Sequence, residues 1–342
     1  MTGWRKAAAA AIAAMALAAC APHVKPPGPP VAAPELLADA YVAADGASLP
    51  LRVWLPEREP RAVILALHGF NDYANAFDEP AKFWRARGFA TYAYDQRGFG
   101  GAPNRGYWAG SEALVDDLKA VSTLLRARHP HAPLLLLGES MGGGVIMSAL
   151  ADPEPPATDG VVLAAPAVWG RETMGAVKRA ALWIAAHTVP WLTVTGRGLD
   201  IRPSDNDEML RKLSLDPQVI KETRVDAVWG VVDLMDRALE SAPGLESPTL
   251  ILYGEKDDII PKEPTRRMLE LLPRDPGQPR RIAIYPNGYH MLTRDLQAQV
   301  VWEDVSFWLD ERIGALNGAA VGAGAPLPSG ADARGLEALL ED

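Results

Sequence analysis

A serine near the middle of the chain stands in a pattern typical of a catalytic nucleophile. Residues 134–144 read LLLLGESMGGG, so Ser140 follows an apolar run and precedes three glycines. An apolar run that ends in Gly-x-Ser-x-Gly predicts a strand, a sharp turn and a helix, with the serine at the turn. The N-terminus of such a helix favours negative charge developing on a substrate oxygen. We interpret Ser140 as a nucleophile rather than as a small residue in a glycine-rich turn.

A serine hydroxyl needs a general base, and the chain contains six histidines. Five stand in the N-terminal segment, in a turn, at the opposite end of a predicted strand or in a helical insertion: His23, His68, His129, His131 and His187. His290 remains, in YPNGYHML directly after the last predicted strand. Because the carboxyl ends of parallel strands share one edge of the sheet, we expect His290 to be the base.

An orienting acid and an oxyanion hole complete the expected chemistry. Acidic residues follow another strand in LILYGEKDDIIP; Asp257 is the expected partner of the histidine, with Asp258 predicted to be a solvated surface residue. A substrate oxyanion needs two backbone N–H donors. Met141 follows the nucleophile and offers one donor. Phe70, in the loop HGFN after an earlier strand, is expected to offer the other.

Short apolar runs without alternation predict the sheet that must position these residues. Such runs are typical of parallel strands buried on both faces. The predicted strands are 49–55, 62–67, 89–94, 134–137, 161–165, 249–253 and 281–285. Helical patterns lie between them at 75–87, 111–128 (with Ser111 as N-cap), 141–151, 264–272 and 295–313. The alternation predicts an α/β fold with a mostly parallel sheet and helices on both faces.

One long interval lacks a strand pattern. Between Pro166 and Ser247 the chain has helical stretches and four tryptophans, so we predict a helical cap over residues 167–246. The core is then expected to comprise residues 35–166 and 247–314. Residues 315–342 are rich in Ala and Gly and predict a disordered tail.

Composition excludes several functions. The net charge of −9 and the absence of a Lys/Arg run argue against nucleic-acid binding. A single cysteine permits no intramolecular disulfide. The sequence shows no clustered ligand motif, and the expected chemistry requires no metal or organic cofactor. The oligomeric state is left open.

The N-terminus resembles that of bacterial lipoprotein precursors. Arg5 and Lys6 precede an apolar run, and Leu17-Ala18-Ala19-Cys20 is similar to a lipobox. The resemblance implies a signal peptide over residues 1–19 and a lipid on Cys20, followed by a Pro-rich tether over residues 20–34. Ala21 after the cysteine fits sorting to the outer membrane, with the protein on its periplasmic face. The alternative is a plain signal peptide with an unrelated cysteine.

Five motifs in order resemble the monoacylglycerol lipase and lysophospholipase branch of the α/β-hydrolase fold. They are HGF, YDQRGFGGAP, LGESMGG, GEKDDIIP and YPNGYHML, spread over residues 45–312. The resemblance implies a Ser140–Asp257–His290 triad, an oxyanion hole of Phe70 and Met141, and a cap over an acyl pocket. It also implies structural roles for Asp95 and Arg97. The family often has His where Glu139 stands and a small residue where Phe70 stands.

These features predict a serine hydrolase that cleaves carboxylic esters of lipids of the monoacylglycerol or lysophospholipid type. Its partners are then an acyl-ester lipid and, through the anchor, a membrane. An acyltransferase with the same acyl-enzyme, a short-chain esterase, a peptidase or amidase, and a lipid-anchored scaffold without activity remain alternatives.

Overall fold

A computed structural model describes residues 21–196, 198, 200–273, 279–318 and 325–333. Within these ranges the strands are β1 (Glu35–Leu36), β2 (Ala40–Val42), β3 (Ser48–Trp54), β4 (Ala62–Leu67), β5 (Phe89–Tyr94), β6 (Leu134–Glu139), β7 (Gly160–Ala164), β8 (Thr193–Val194), β9 (Thr223–Arg224), β10 (Thr249–Gly254) and β11 (Arg280–Tyr285). The α-helices are α1 (Asp78–Ala86), α2 (Ser111–Arg128), α3 (Met141–Leu150), α4 (Ala176–Thr188), α5 (Asp207–Leu215), α6 (Val225–Ser241), α7 (Lys262–Leu271) and α8 (Ala298–Leu316).

The main sheet has nine strands in the order β1-β2-β3-β5-β4-β6-β7-β10-β11. The six strands from β5 to β11 in this order pair in parallel, whereas β1, β2 and β3 form an antiparallel edge. All seven predicted strands are present, and the mostly parallel α/β architecture is confirmed. The predicted N-cap is wrong: Ser111 is the first residue of α2, and Gly110 with φ +97° precedes it.

Both faces of the sheet are buried, as its continuous apolar strands require. In β4, Val63 and Leu65 belong to the cluster that packs under α2, α3 and α6. Ile64 and Ala66, which point to the opposite face, pack under α1 and α8 with Trp308. Successive residues of a strand face two different apolar layers, so the sequence shows continuous apolar runs instead of alternating apolar and polar residues.

The interval between β7 and β10 contains more than a cap. It holds α4, α5 and α6 together with the two-residue strands β8 and β9, which pair with each other. Leu234 and Ala238 of α6 are fully buried in the same cluster as Ile146 of α3. The predicted cap of residues 167–246 is therefore too long, because α6 is a core helix whose apolar face packs against α3.

The chain ends described by the structure pack on the core. Residues 21–34 are extended and hydrogen-bonded to the core: Lys25 N–H donates to the carbonyl of Trp108 (2.8 Å), and Val31 N–H donates to that of Ala44 (2.7 Å). They are therefore not a free tether. Residues 325–333 of the predicted tail also pack: Leu327 is buried and Ser329 N–H donates to Asp304 Oδ1 (3.0 Å).

The predicted signal peptide of residues 1–19 and Cys20 lie outside the described residues. Among the helices that the structure does describe, none combines the length and the apolar composition needed to cross a bilayer.

The connection from β6 to α3 is so tight that glycine is required on both sides of it. A Cβ on Gly142 would lie 2.1 Å from the carbonyl oxygen of Leu67, the last residue of β4. A Cβ on Gly138 would lie 2.4 Å from the backbone nitrogen of Gly143. Both obstacles are backbone atoms, which cannot rotate away as a side chain could.

We expect Gly142→Ala to lower the free energy of unfolding by about 3 kcal/mol, because the added methyl group forces β4 and α3 apart. Urea denaturation followed by circular dichroism measures the change. Gly196→Ala is the matched control, since a Cβ there meets nothing within 4 Å. Equal stability of the two variants would contradict the steric account.

Candidate active site

Ser140 occupies the turn between β6 and α3 in a strained backbone conformation. Its φ of +52° and ψ of −114° lie in a region that residues other than glycine rarely adopt. The turn places the serine directly before Met141, the first residue of α3. Strain held by tight surroundings is typical of functional sites, and here it occurs directly after the carboxyl end of β6.

Asp257 and His290 are in direct contact. His290 Nδ1 lies 2.8 Å from Asp257 Oδ2, and both side chains are buried. The other carboxylate oxygen, Oδ1, accepts the backbone N–H groups of Ile259 (2.8 Å) and Ile260 (2.9 Å). Asp258 is exposed. The structure thus brings together the acid and base expected from the sequence, with Asp257 rather than Asp258 as the acid.

The loop that carries His290 returns across the sheet to the end of β6. Two other strands separate β11 from β6 in the sheet. Thr293 Oγ1 donates to Glu139 Oε2 (2.8 Å), and Arg294 Nη2 donates to Glu139 Oε1 (2.6 Å). Since Glu139 directly precedes Ser140, these bonds bring the loop of the base to the nucleophile.

The electrostatic environment keeps His290 a stronger base than an ordinary buried histidine. Burial by itself lowers the pKa of His290, but the charge of Asp257 and its hydrogen bond raise that pKa above its ordinary value. Glu139 raises the pKa further, and Arg294 opposes this. With Nδ1 bonded to Asp257, the other ring nitrogen, Nε2, is the one left to take a proton.

The loop after β4 approaches the serine closely. A Cβ on Gly69 would lie 3.4 Å from the Cβ of Ser140. Phe70 is the next residue, so its backbone begins where the loop comes closest to the serine. Met141 is the first residue of α3, where backbone N–H groups have no partner within the helix. Phe70 and Met141 thus lie on the two segments next to Ser140, and their role as oxyanion donors stays a prediction.

His68 shapes this loop. The backbone N–H of Gln96 donates to His68 Nε2 (2.9 Å), so the ring proton lies on Nδ1, which bonds the carbonyl of Gly69 (2.8 Å). Complete burial lowers the pKa of His68, which keeps the ring neutral. The structure thus gives His68 a role in positioning this loop.

Asp95 and Arg97 also serve the scaffold. Asp95 accepts the backbone N–H groups of Ala74 (2.9 Å) and Gly101 (2.8 Å). Arg97 bridges Asp117 (Nε to Oδ2, 2.6 Å) and Asp45 (Nη1 to Oδ2, 2.9 Å). All their described partners are scaffold groups, which agrees with the structural roles implied by the resemblance.

A cavity of about 590 Å³ lies between α5, the segment 72–79 that follows the loop of Phe70, and the start of α8. Asp72, Thr293 and Arg294 contribute to its lining, whereas Ser140 and His290 do not. The ion pair of Asp72 and Arg294 thus lines this cavity, while Ser140 and His290 lie outside its lining.

Sequence reasoning missed the residues that join the loops of the site. In the sequence Glu139 stands out only as a departure from the family, and no motif singles out Asp72 or Arg294. Arg294 Nη1 donates to Asp72 Oδ2 (2.6 Å), while its Nη2 binds Glu139. The sequence does contain one signal for them: Glu139 stands between an apolar strand and Ser140. A charge buried at that position requires a partner of opposite charge.

Comparisons with known proteins show which families and proteins this chain is similar to. A family model described as "Serine aminopeptidase, S33" (Hydrolase_4) matches residues 58–297. The monoacylglycerol lipase of Mycolicibacterium smegmatis is 25% identical over 272 residues, which cover 79% of this chain and 95% of that protein. The monoglyceride lipase of Rattus norvegicus is 26% identical over 278 residues, covering 80% and 90%.

A crystal structure of the monoacylglycerol lipase of Paleococcus ferrophilus superimposes with a TM-score of 0.64 at 24% identity, covering 77% of this chain and 99% of that one. This structural likeness confirms the α/β-hydrolase fold.

We expect Asp257→Asn to lower kcat for a p-nitrophenyl ester about 10⁴-fold, because the amide no longer holds the reactive tautomer of His290. In the parent enzyme the rate should rise with pH through a pKa above about 6.5, since only neutral His290 accepts a proton. Steady-state kinetics across pH measure both. Asp258→Asn removes the same charge at an exposed position, and its kcat should stay near that of the parent. The reverse ranking of the two variants would exclude Asp257 as the acid.

Proposed function

The chain belongs to the Hydrolase_4 family, and we propose that it is a serine hydrolase that cleaves carboxylic esters of lipids of the monoacylglycerol or lysophospholipid type. One observation carries this proposal. Asp257 and His290 are hydrogen-bonded to each other (2.8 Å), and the loop of His290 is bonded to Glu139, directly before the strained turn of Ser140. The names of the lipase relatives support the ester substrate.

The mechanism follows from these positions. His290 Nε2 takes the proton of Ser140 Oγ while that oxygen bonds to the ester carbonyl carbon, and the backbone N–H groups of Phe70 and Met141 stabilise the oxyanion. Asp257 stabilises the imidazolium. The oxyanion collapses, the ester C–O bond breaks, and the alcohol leaves with the proton from His290. Water, deprotonated by His290, then attacks the acyl-enzyme, which releases the fatty acid and restores Ser140.

An apolar cap supports a lipid rather than a small polar substrate. Much of α4 and the segment after it is exposed, although it carries large apolar side chains: Val177, Trp183, Ile184, Trp191 and Leu192. Several large apolar side chains exposed on one segment mark a surface that binds apolar ligands or lipid.

The family description favours one second candidate, an aminopeptidase. Such an enzyme would use the same triad but would need to recognise the free amino group of its substrate. An acyltransferase would share the acyl-enzyme and pass it to an alcohol, and a scaffold without activity would leave Ser140 unreactive. These functions differ in products and can be separated in one set of assays.

We expect the chain from residue 21 onwards to hydrolyse monoacylglycerols, lysophospholipids and p-nitrophenyl esters and to leave aminoacyl p-nitroanilides intact, because the leaving group and the apolar cap suit esters. Titration of released fatty acid and chromophore measures this, and a series of ester chain lengths separates a lipase from a short-chain esterase. Residues 21–34 are retained because they bond to the core.

Ser140→Ala is the control and should be inactive on every substrate. Preference for the anilides would favour the aminopeptidase, and transfer of the acyl group to an added alcohol in preference to water would favour the acyltransferase. A folded parent that is inert towards all of these would leave only the scaffold.

We further propose that the protein is attached to a bacterial envelope membrane, at the periplasmic face of the outer membrane, through lipid on Cys20. Support comes from the resemblance of residues 17–20 to a lipobox and from Cys20 being the sole cysteine of the chain. An anchored enzyme would meet membrane lysophospholipids and monoacylglycerols without leaving the surface.

We expect Cys20→Ala, in the full chain expressed in a bacterium, to move the protein from the membrane fraction to the soluble fraction and to abolish labelling by a clickable fatty acid. The reason is that the thiol is the only acceptor for the lipid. Fractionation and labelling are measured together. Ser140→Ala should keep both the lipid and the membrane location. An unlabelled parent, or a Cys20→Ala protein that still fractionates with membranes, would show that residues 1–20 serve another purpose.

A further inference from the structure

The side chain of Arg294 joins three loops of the active site. Its Nη1 donates to Asp72 Oδ2 (2.6 Å), and its Nη2 donates to Glu139 Oε1 (2.6 Å). Asp72 stands two residues after Phe70, Glu139 directly before Ser140, and Arg294 four residues after His290. The guanidinium group therefore bonds a residue close to Phe70 and a residue next to Ser140, and it is carried by the same loop as His290.

The carboxylates that Arg294 binds are held by further donors. Glu139 is 2% exposed, and its second oxygen accepts the hydroxyl of Thr293 (2.8 Å). The second oxygen of Asp72 accepts the backbone N–H of Tyr73 (2.9 Å). A buried ion cluster with each carboxylate oxygen bonded has little freedom to rearrange.

We propose that Arg294 is a positioning residue that holds the nucleophile turn, the base loop and the oxyanion loop in their reactive arrangement through Glu139 and Asp72. This inference rests on the proposed function, because it concerns how fast Ser140 is acylated. A planar guanidinium with two separate donor pairs suits this task, since a lysine ammonium is a single point charge and cannot make the same two-armed bridge.

The same cluster also surrounds His290 with charge. Asp257 faces the ring from the loop after β10, Glu139 from the end of β6, and Arg294 from the loop of His290 itself. Asp295 of that loop accepts the backbone N–H of Tyr289 (2.8 Å), next to His290. Glu139 raises the pKa of His290, and Arg294 lowers it. Removing the charge of Glu139 should therefore move the pH profile down, and removing that of Arg294 should move it up.

The test compares Arg294→Met, Arg294→Lys and Glu139→Gln in the protein from residue 21 onwards. The pH dependence of kcat and KM for p-nitrophenyl butyrate is measured, together with the rate at which a fluorophosphonate labels Ser140. The labelling reports the reactivity of the nucleophile whatever the natural substrate is. Arg126→Met is the matched control, since Arg126 pairs with Asp159 at the amino end of β6 (2.7 Å).

We expect Arg294→Met to lower kcat and the labelling rate about 10²-fold with little change in KM, because the reacting groups lose their alignment. Its pH midpoint should rise, and that of Glu139→Gln should fall. Arg294→Lys should keep the midpoint of the parent, because the charge remains, and still lose activity, because the bridge is gone. Arg126→Met should leave kcat and midpoint unchanged.

The inference is overturned if folded Arg294→Met keeps the kcat and pH midpoint of the parent. If Arg294→Met does not fold, Glu139→Gln decides: an unchanged midpoint and labelling rate overturn the inference, and a lower midpoint with slower labelling supports it. A parent that labels at Ser140 but cleaves no ester refutes the proposed function instead, and the labelling rates of the variants still test the positioning role.

Discussion

The close approach of the end of β4 to the start of α3 is the constraint on which the rest of the site depends. Only a glycine at position 142 leaves room for the carbonyl of Leu67, where a Cβ would come within 2.1 Å. The residues directly after Leu67 form the oxyanion loop, and those directly before Gly142 include the nucleophile. The contact therefore sets the separation of Ser140 and Phe70 through the backbone alone.

Carboxylates hold in place what the backbone does not. Asp257 uses one oxygen for two backbone N–H groups and the other for His290, so the acid cannot rotate away from the base. Glu139 and Asp72 are also bonded at both oxygens: each accepts one donor from Arg294, and their second donors are Thr293 Oγ1 and the backbone N–H of Tyr73 respectively. Replacing such a pair by apolar groups can be neutral for stability. Geometry, rather than the free energy of folding, is then the property that these ions secure.

The sequence revealed the features whose signal is local. Seven strands could be recognised because buried parallel strands are continuous apolar runs, and His290 because the other five histidines lie elsewhere. The strands β1 and β2 are too short to show a period, and the apolar face of α6 does not reveal that it packs on α3. The partners Glu139 and Arg294 are 155 residues apart along the chain, and no local sequence pattern predicts a contact between residues so widely separated.

The packing of residues 21–34 has a consequence for the proposed attachment of the protein to a bilayer. Val24 already bridges to Trp108, whose ring lies 6.4 Å from that of Phe70. With Cys20 lipidated as proposed, four residues allow a separation of about 14 Å at most between the acylated residue and this contact. The protein could then neither drift far from the lipid nor tumble freely above it. The side of the protein that carries Trp108 and Phe70 would be held towards the headgroups, and the enzyme would reach its substrate by diffusion in two dimensions.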